Sequence, residues 1–282
     1  MAAAAIRTIE LPSGDAVPVL GQGTWHLAEG VHDRADEIAA LRLGLDLGMT
    51  LIDTAELYAD GGAEALVGMA IAGRREEVFL VGKVLPHNAT HSGTIAACER
   101  SLRRLQTDRL DLYLLHWRGG PPLEETLDAF ELLVRAGKIR HWGVSNFDVS
   151  DMEELTVLRG GSAVQTDQVL YNLTRRGIEY DLLPWCRERA IPIMAYSPIE
   201  QGRMLSHPAL ESVATRHDAT PAQVALAWLL RQDGLIVIPR AGTPEHVREN
   251  RAAFDLSLMK KDLAELEAAF PPPTEKRSLE ML

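Results

Sequence analysis

The sequence predicts an α/β fold closed into a (β/α)8 barrel, and three observations carry that prediction. Eight short apolar runs alternate with amphipathic stretches along the chain. Most of the runs are apolar at every position, as strands of a parallel sheet covered by helices must be. The pattern fills 282 residues without a linker, repeat or low-complexity segment, and barrels of this kind reach ~250 residues as one domain. Residues 1–282 are therefore expected to form a single barrel domain. An open, doubly wound sheet is the alternative that periodicity alone leaves standing.

Taken in order, residues 6–10 and 16–19 flank the turn Pro12-Ser13-Gly14-Asp15 and read as a hairpin, placed to plug the barrel floor. The eight expected strands are 20–24, Leu51–Asp53, 78–82, 110–116, Ile139–Ser145, 163–169, 191–196 and 236–239. The sixth is the most polar, at Gln165, Thr166 and Asp167. Between them lie helical patterns. Arg34–Asp46 carries Ile38, Leu41 and Leu45 on one stripe, and 94–105, 123–136, 148–158 and 222–232 behave alike. A last helix, 261–270, ends at Pro271-Pro272-Pro273, and the tail 271–282 is expected to be mobile.

Composition removes several classes of function. The formal net charge is −11, from 29 basic and 40 acidic residues, which argues against nucleic acid as a partner. No apolar run approaches the ~18 residues of a membrane span. The start, Met-Ala-Ala-Ala-Ala-Ile-Arg, lacks the apolar core of a secretion signal. Cys98 and Cys186 form neither a zinc spacing nor a disulfide framework and suit a reducing compartment. A cytoplasmic monomer acting on a small molecule is the expectation.

In barrels the chemistry sits where strands end. The second strand ends at Asp53, with Tyr58 five residues on. The third runs into Lys83 and the fourth into His116. An acid, a phenol, an amine and an imidazole thus meet at one rim. Asp53 and Lys83 alone would be a structural ion pair, since a charge at the end of an apolar strand needs a partner. That reading leaves Tyr58 and His116 unexplained. Carbonyl reduction uses all four. Hydride addition creates an alkoxide that needs a proton. Tyr58 supplies it, an adjacent ammonium (Lys83) stabilises the phenolate and is expected to lower the phenol's pKa, Asp53 keeps Lys83 charged, and His116 orients the substrate oxygen. A metallohydrolase does not fit, because the rim has no His-x-His and no carboxylate cluster with ligand spacing, and no metal is expected. No Gly-x-Ser-x-Gly elbow and no Walker sequence occur. Gly21-x-Gly23-x-x-His26 lacks the third glycine of a dinucleotide fingerprint. A lyase using Lys83 as a Schiff base is a remaining rival, against which Asp53 argues by holding the amine charged.

The chain resembles the aldo-keto reductases over nearly its whole length. The resemblance rests on Asp53-Thr54-Ala55-x-x-Tyr58, the run from Arg109 to Trp117, Gly143-Val144-Ser145-Asn146-Phe147, Ala195-Tyr196-Ser197-Pro198, and Ile238-Pro239-Arg240 with Glu249-Asn250. It is most similar to the bacterial branch that contains methylglyoxal reductases. The resemblance implies an NADPH-dependent reductase of small carbonyl compounds, with Asp53, Tyr58, Lys83 and His116 as its catalytic tetrad. It further implies that Ser145, Asn146 and Gln168 bond the nicotinamide carboxamide, that Tyr196 stacks on that ring and that Ser197 begins the loop along the pyrophosphate. Arg240 and Thr243 match the 2′-phosphate pocket, and Glu249 and Asn250 match residues that hold the adenine. A regulatory, nucleotide-binding subunit on the same barrel is the alternative within this resemblance.

Trp25 and Trp117 directly follow the first and fourth strands and are assigned to the substrate pocket, whose aromatic wall suits a small carbonyl compound. Arg118 directly follows Trp117 and is the residue placed to turn on a substrate carboxylate. The sequence departs from the family pattern in a longer stretch after Tyr58 (Ala59-Asp60-Gly61-Gly62-Ala63-Glu64) and a short loop from Ile199 to Arg203. It also departs at Ala241, where a phosphate-binding Ser is frequent, and at His246, where an Arg often stacks on adenine. The last two predict a moderate preference for NADPH.

Overall fold

The computed structural model describes residues 5–282; the first four, on which the expectation about a secretion signal partly rests, lie outside them. An antiparallel hairpin, β1 (Thr8–Glu10) and β2 (Ala16–Pro18), comes first. Eight parallel strands then pair strictly in chain order. They are β3 (Gln22–Gly23), β4 (Leu51–Asp53), β5 (Phe79–Val84), β6 (Leu110–Leu115), β7 (Ile139–Ser145), β8 (Asp167–Leu170), β9 (Ile193–Tyr196) and β10 (Leu235–Val237). The two ends of this sheet join. Leu20 bridges Val237 and Gly23 bridges Arg240, both in parallel sense. The Gly21 and Gly23 amides donate to the carbonyls of Val237 and Pro239 at 2.9 and 3.0 Å. The fold is therefore the (β/α)8 barrel, and the open-sheet alternative is excluded.

The closing seam needs its glycines. A Cβ on Gly23 would stand 2.8 Å from the Ile238 carbonyl oxygen, and one on Gly21 would stand 2.7 Å from Leu51 Cδ2. Between them Gln22 is buried and donates to the carbonyls of Leu41 and Met49. The glycine pair that looks like a fragment of a nucleotide fingerprint thus serves barrel closure.

Helices α1 (Arg34–Asp46), α2 (Gly62–Ile71), α3 (His91–Leu105), α4 (Leu123–Arg135), α5 (Val149–Val157), α6 (Leu182–Glu188), α8 (Pro221–Leu230) and α9 (Pro244–Ala252) follow the eight strands, with α7 (Pro208–Arg216) added before α8 and α10 (Lys260–Ala269) after α9. Side-chain caps fix where they begin: Asp33 for α1, Thr90 for α3, Asp148 for α5, Thr220 for α8 and Thr243 for α9. Each such cap is typically worth ~0.5–2 kcal/mol. The capped starts hold the βα loops, and so the functional rim, in register.

Apolar side chains form two clusters. The larger lies between the strands and the helices. The smaller fills the barrel with Leu51, Val81, Leu112, Leu114, Met194, Ile236 and Ile238, and is closed below by Leu11 and Val17 of the hairpin. Asp15, in the hairpin turn, accepts hydrogen bonds from Arg140 at 2.8 Å and His141 at 2.7 Å. The His141 bond leads in holding its carboxyl below the usual range. The hairpin is the floor, as expected.

Some elements differ from expectation. The sixth strand begins at Asp167, not at 163, because Gly161–Ala163 forms a 3-10 turn after a left-handed Gly160. α2 is buried at Ala63, Glu64, Leu66, Val67, Gly68, Ala70 and Ile71, so it has no polar face and leaves no stripe to read. Residues 271–282, for which the sequence indicates no element, run back over the barrel. Lys276 pairs with Asp181 at 3.1 Å, Glu280 pairs with Arg175, and Leu279 packs on the outer core.

Candidate active site

One cavity of about 260 Å³ opens at the C-terminal ends of the strands. Its walls include Trp25, Asp53, Tyr58, His116, Trp117, Ser145, Asn146, Gln168, Tyr196, Ser197 and Arg240. Residues nominated from all parts of the sequence therefore meet there. Lys83 stands behind the wall, fully buried. Met281 and Leu282 of the tail also line the cavity, as does Leu57. No sequence signal pointed to the tail residues, because their place depends on a chain reversal after the last helix.

The four rim residues form a chain of contacts. Lys83 Nζ donates to Asp53 Oδ2 at 2.7 Å, to the Thr54 carbonyl at 3.1 Å and to the Tyr58 hydroxyl at 3.1 Å. The ammonium also lies 4.8 Å from the Tyr58 ring centre. Tyr58 is delivered by a tight turn in which Ala59, Asp60 and Gly61 all have positive φ. Gly61 is required: a Cβ there would lie 2.4 Å from Arg104 Nε, and Arg104 is held by the buried Glu64. The longer stretch after Tyr58 thus has a structural use.

Electrostatics adjust the sequence reading. Burial works against the charge of Lys83, but Asp53 and Tyr58 outweigh it, and its pKa is raised. For Tyr58 the outcome is opposite to expectation. Burial pushes the phenol up by more than Lys83 pulls it down, so its pKa is raised. A removed hydration shell costs the phenolate more than one ammonium returns. His116 is lowered to about 2, by burial first and Lys83 second. Its ring meets Tyr58 edge-on at 5.9 Å, and its Nδ1 is buried without a partner among the described residues.

A neutral His116 gives a pH prediction. Its folded pKa lies below the 6.5 of the unfolded chain, so between those values the unfolded state binds the extra proton. Stability is lost as pH falls below about 6.5 and this contribution keeps falling toward the folded pKa. Nitrogen-15 shifts of the His116 ring should report the neutral form at pH 5, and an imidazolium signal there would refute its burial.

A second network adjoins the first. Ser145 Oγ donates to the Gln168 carbonyl at 2.7 Å. Asn146, at φ 59°, donates to the His116 carbonyl at 3.1 Å and accepts from the Tyr196 hydroxyl at 3.0 Å. Gln168 Nε2 donates to Asp53 Oδ1 at 2.8 Å. Both oxygens of Asp53 are therefore engaged, one by each network. Burial pushes the Tyr196 phenol up to about 12, and the nearby Leu282 backbone offsets part of that rise. The Ser197 carbonyl accepts from Asn172 at 2.9 Å.

Arg240 borders the cavity and donates from Nη2 to the His26 carbonyl at 3.2 Å, while its Nε is buried without a partner among the described residues. Thr243 caps α9, and Glu249 and Asn250 lie further along that helix, outside the cavity wall. Glu249 accepts from the Thr220 hydroxyl, tying α9 to α8. Asn250 is 5% exposed and its Nδ2 has no partner among the described residues. Buried, unpaired donors on Arg240 and Asn250 suit an oxygen-rich ligand, since leaving them unmet costs free energy. The residues present thus fit a dinucleotide. Arg118 is committed elsewhere, to Glu154 at 2.8 and 2.9 Å.

The sequence profile of the Aldo/keto reductase family matches residues 19–270. The chain belongs to that family. It is 52% identical to the methylglyoxal reductase YeaE of Escherichia coli, over 96% of this chain and 97% of that protein. It is 35% identical to the glyoxal reductase of Bacillus subtilis, over 93% and 92% of the two chains. Among solved structures, an aldo/keto reductase from Klebsiella pneumoniae in complex with NADP and acetate superposes with a TM-score of 0.95 at 50% identity, covering 98% of this chain and all of that one. The Klebsiella pneumoniae enzyme in complex with NADPH gives 0.96 at the same identity, over 99% of this aldo/keto reductase. No helix among the described residues is long and apolar enough to cross a membrane.

Proposed function

We propose that this aldo/keto reductase reduces small aldehydes and 2-oxoaldehydes, methylglyoxal among them, with NADPH, and that Tyr58 delivers the proton. The observation that carries this reading is the Tyr58 hydroxyl, 3.1 Å from a buried ammonium and facing the same cavity as a neutral His116. NADPH supplies the hydride when bound. The chain's own residues do the rest. His116, uncharged, offers an N–H to the substrate oxygen. The raised pKa of Tyr58 keeps the phenol proton-loaded at neutral pH, so the proton leaves only when a stronger base, an alkoxide, develops beside it. Lys83 then stabilises the phenolate, and Asp53, braced by Gln168, keeps Lys83 ionised. A charged amine is a poor nucleophile, which tells against the Schiff-base alternative.

Ser145, Asn146 and Gln168 cradle the nicotinamide carboxamide in this reading, Tyr196 stacks on the ring and Ser197 runs along the pyrophosphate. Arg240 and Thr243 hold the 2′-phosphate, and Asn250 with Glu249 the adenine. The cofactor's two ends are thereby assigned to the cavity and to α9.

Trp25 and Trp117 give the cavity an apolar wall, with Trp25 stacked on His26 at 4.3 Å. Arg118 is paired away from it, and Arg240 is assigned to the cofactor phosphate, so neither is left for a substrate carboxylate. Methylglyoxal and small aromatic aldehydes should exceed pyruvate in kcat/KM. NADPH oxidation across a panel of aldehydes, ketones, sugars and 2-oxo acids checks this. Pyruvate at the head of the ranking would overturn the reading of the pocket. No turnover with any carbonyl would favour the regulatory-subunit alternative.

A further inference from the structure

The loop between β3 and α1 reaches across the barrel seam to the turn before α9. Arg240 holds the His26 carbonyl, the Glu37 carboxylate takes the Ala28 amide at 3.0 Å, and Asp33 caps α1. Held at these points, the loop lays His32 against Gly242. A Cβ on Gly242 would fall 2.4 Å from His32 Cδ2 and 2.8 Å from His32 Nε2. The imidazole therefore sits on the one residue of the Arg240–Thr243 segment that has no side chain, with its Nε2 edge among the nearest atoms. On one side is Ala241, which offers no side-chain donor. On the other is Thr243, at the amino end of a nine-residue helix. His32 is half-buried, and its ring has no hydrogen-bond or ion-pair partner among the described residues.

We propose that His32 is a ligand of the 2′-phosphate of NADPH, supplying from the β3–α1 loop the donor that Ala241 does not. The inference rests on the assignment of Arg240 and Thr243 to that phosphate. It accounts for three features together. Gly242 has room for a ring only because it lacks a Cβ. Arg240, by holding the His26 carbonyl, fixes the loop that carries His32 as well as contributing its own charge. The other charged neighbours on the loop are engaged elsewhere: His26 pairs with Glu29, and Asp33 accepts from the Ala35 amide. A sequence reading has no access to this arrangement, because His32 and Gly242 are brought together only by barrel closure.

The test measures the dissociation constants of NADPH and NADH by fluorescence titration and reads their ratio. His32→Phe keeps a ring on Gly242 but removes the N–H, and the preference for NADPH should fall about tenfold, as for the loss of one hydrogen bond to a charged group. His32→Gln, which keeps a donor, should retain part of the preference. Gly242→Ala approaches from the other side: its methyl displaces the ring and should lower the ratio as well, with thermal denaturation confirming that each variant is folded. Arg240→Ala should lower the ratio roughly ten- to a hundredfold. If Arg240→Ala collapses the preference and His32→Phe leaves it intact, His32 only fills space and the proposal is overturned. If Arg240→Ala also leaves it intact, the 2′-phosphate site has been misplaced, and the reading beneath the proposal fails with it.

Discussion

Replacing Tyr58 by Phe should lower kcat by at least the ~10²–10⁴ that general acid catalysis contributes. The substitution keeps the ring that lies 4.8 Å from the Lys83 ammonium and edge-on to His116, and it removes only the hydroxyl. Cavity shape is therefore preserved, and NADPH affinity should barely change. Steady-state kinetics with methylglyoxal, beside an NADPH titration, separate the two. A variant keeping more than roughly a tenth of the wild-type kcat would fall well short of that range and would remove Tyr58 from the role. Because burial raises the phenol's pKa, the wild-type rate should show no loss of this proton donor on the acid side of neutrality.

The second large effect is expected at Lys83. Its side chain is fully buried and that of Asp53 is 3% exposed, with 2.7 Å between them. Lys83→Met leaves Asp53 buried with Gln168 as its remaining side-chain partner. Breaking a buried pair by removing one member costs about 3–5 kcal/mol, because the other charge is left uncompensated. Folding free energy from chemical denaturation should fall by that amount, and turnover should be lost with it. The double variant Lys83→Met with Asp53→Leu should regain much of the stability and none of the activity. A single variant with stability within about 1 kcal/mol of wild type would mean that water reaches the pair and that its charges are not coupled as the burial implies.

Much of this was legible in the sequence, for physical reasons that can be traced. Arg34–Asp46 is helical over the range that its apolar stripe indicates, and the structure adds Asp33 as its cap. The strand ends at Asp53, Lys83 and His116 could be found because a polar group closing an apolar run demands a partner. Other parts were hidden by the same logic. α2 is buried on nearly every side and shows no periodicity. The sixth strand is shifted because Gly160 and the turn after it consume residues that propensity assigned to the sheet. The sign of the Tyr58 shift was missed because sequence reveals an ammonium nearby but not the depth at which the phenol is buried. The tail's approach to Tyr196 and the meeting of His32 with Gly242 depend on closure of the chain upon itself, which no local pattern encodes.

The seam between β3 and β10 bears on all of these distances. A barrel wall is a hoop, and its circumference is set by the sum of its inter-strand gaps. Gly21 and Gly23 let Leu51 on one side of the shortest strand and the Ile238 carbonyl on the other come closer than a Cβ would allow. A methyl at either position would lengthen the hoop, and the added length would be shared around the ring, drawing β4 from β5 and β5 from β6. The 2.7 and 3.1 Å contacts that join Lys83 on β5 to Asp53 at the end of β4 and to Tyr58 in the loop after it both cross one of those gaps. Two residues that touch no substrate thereby act as a gauge for the spacing of the groups that do.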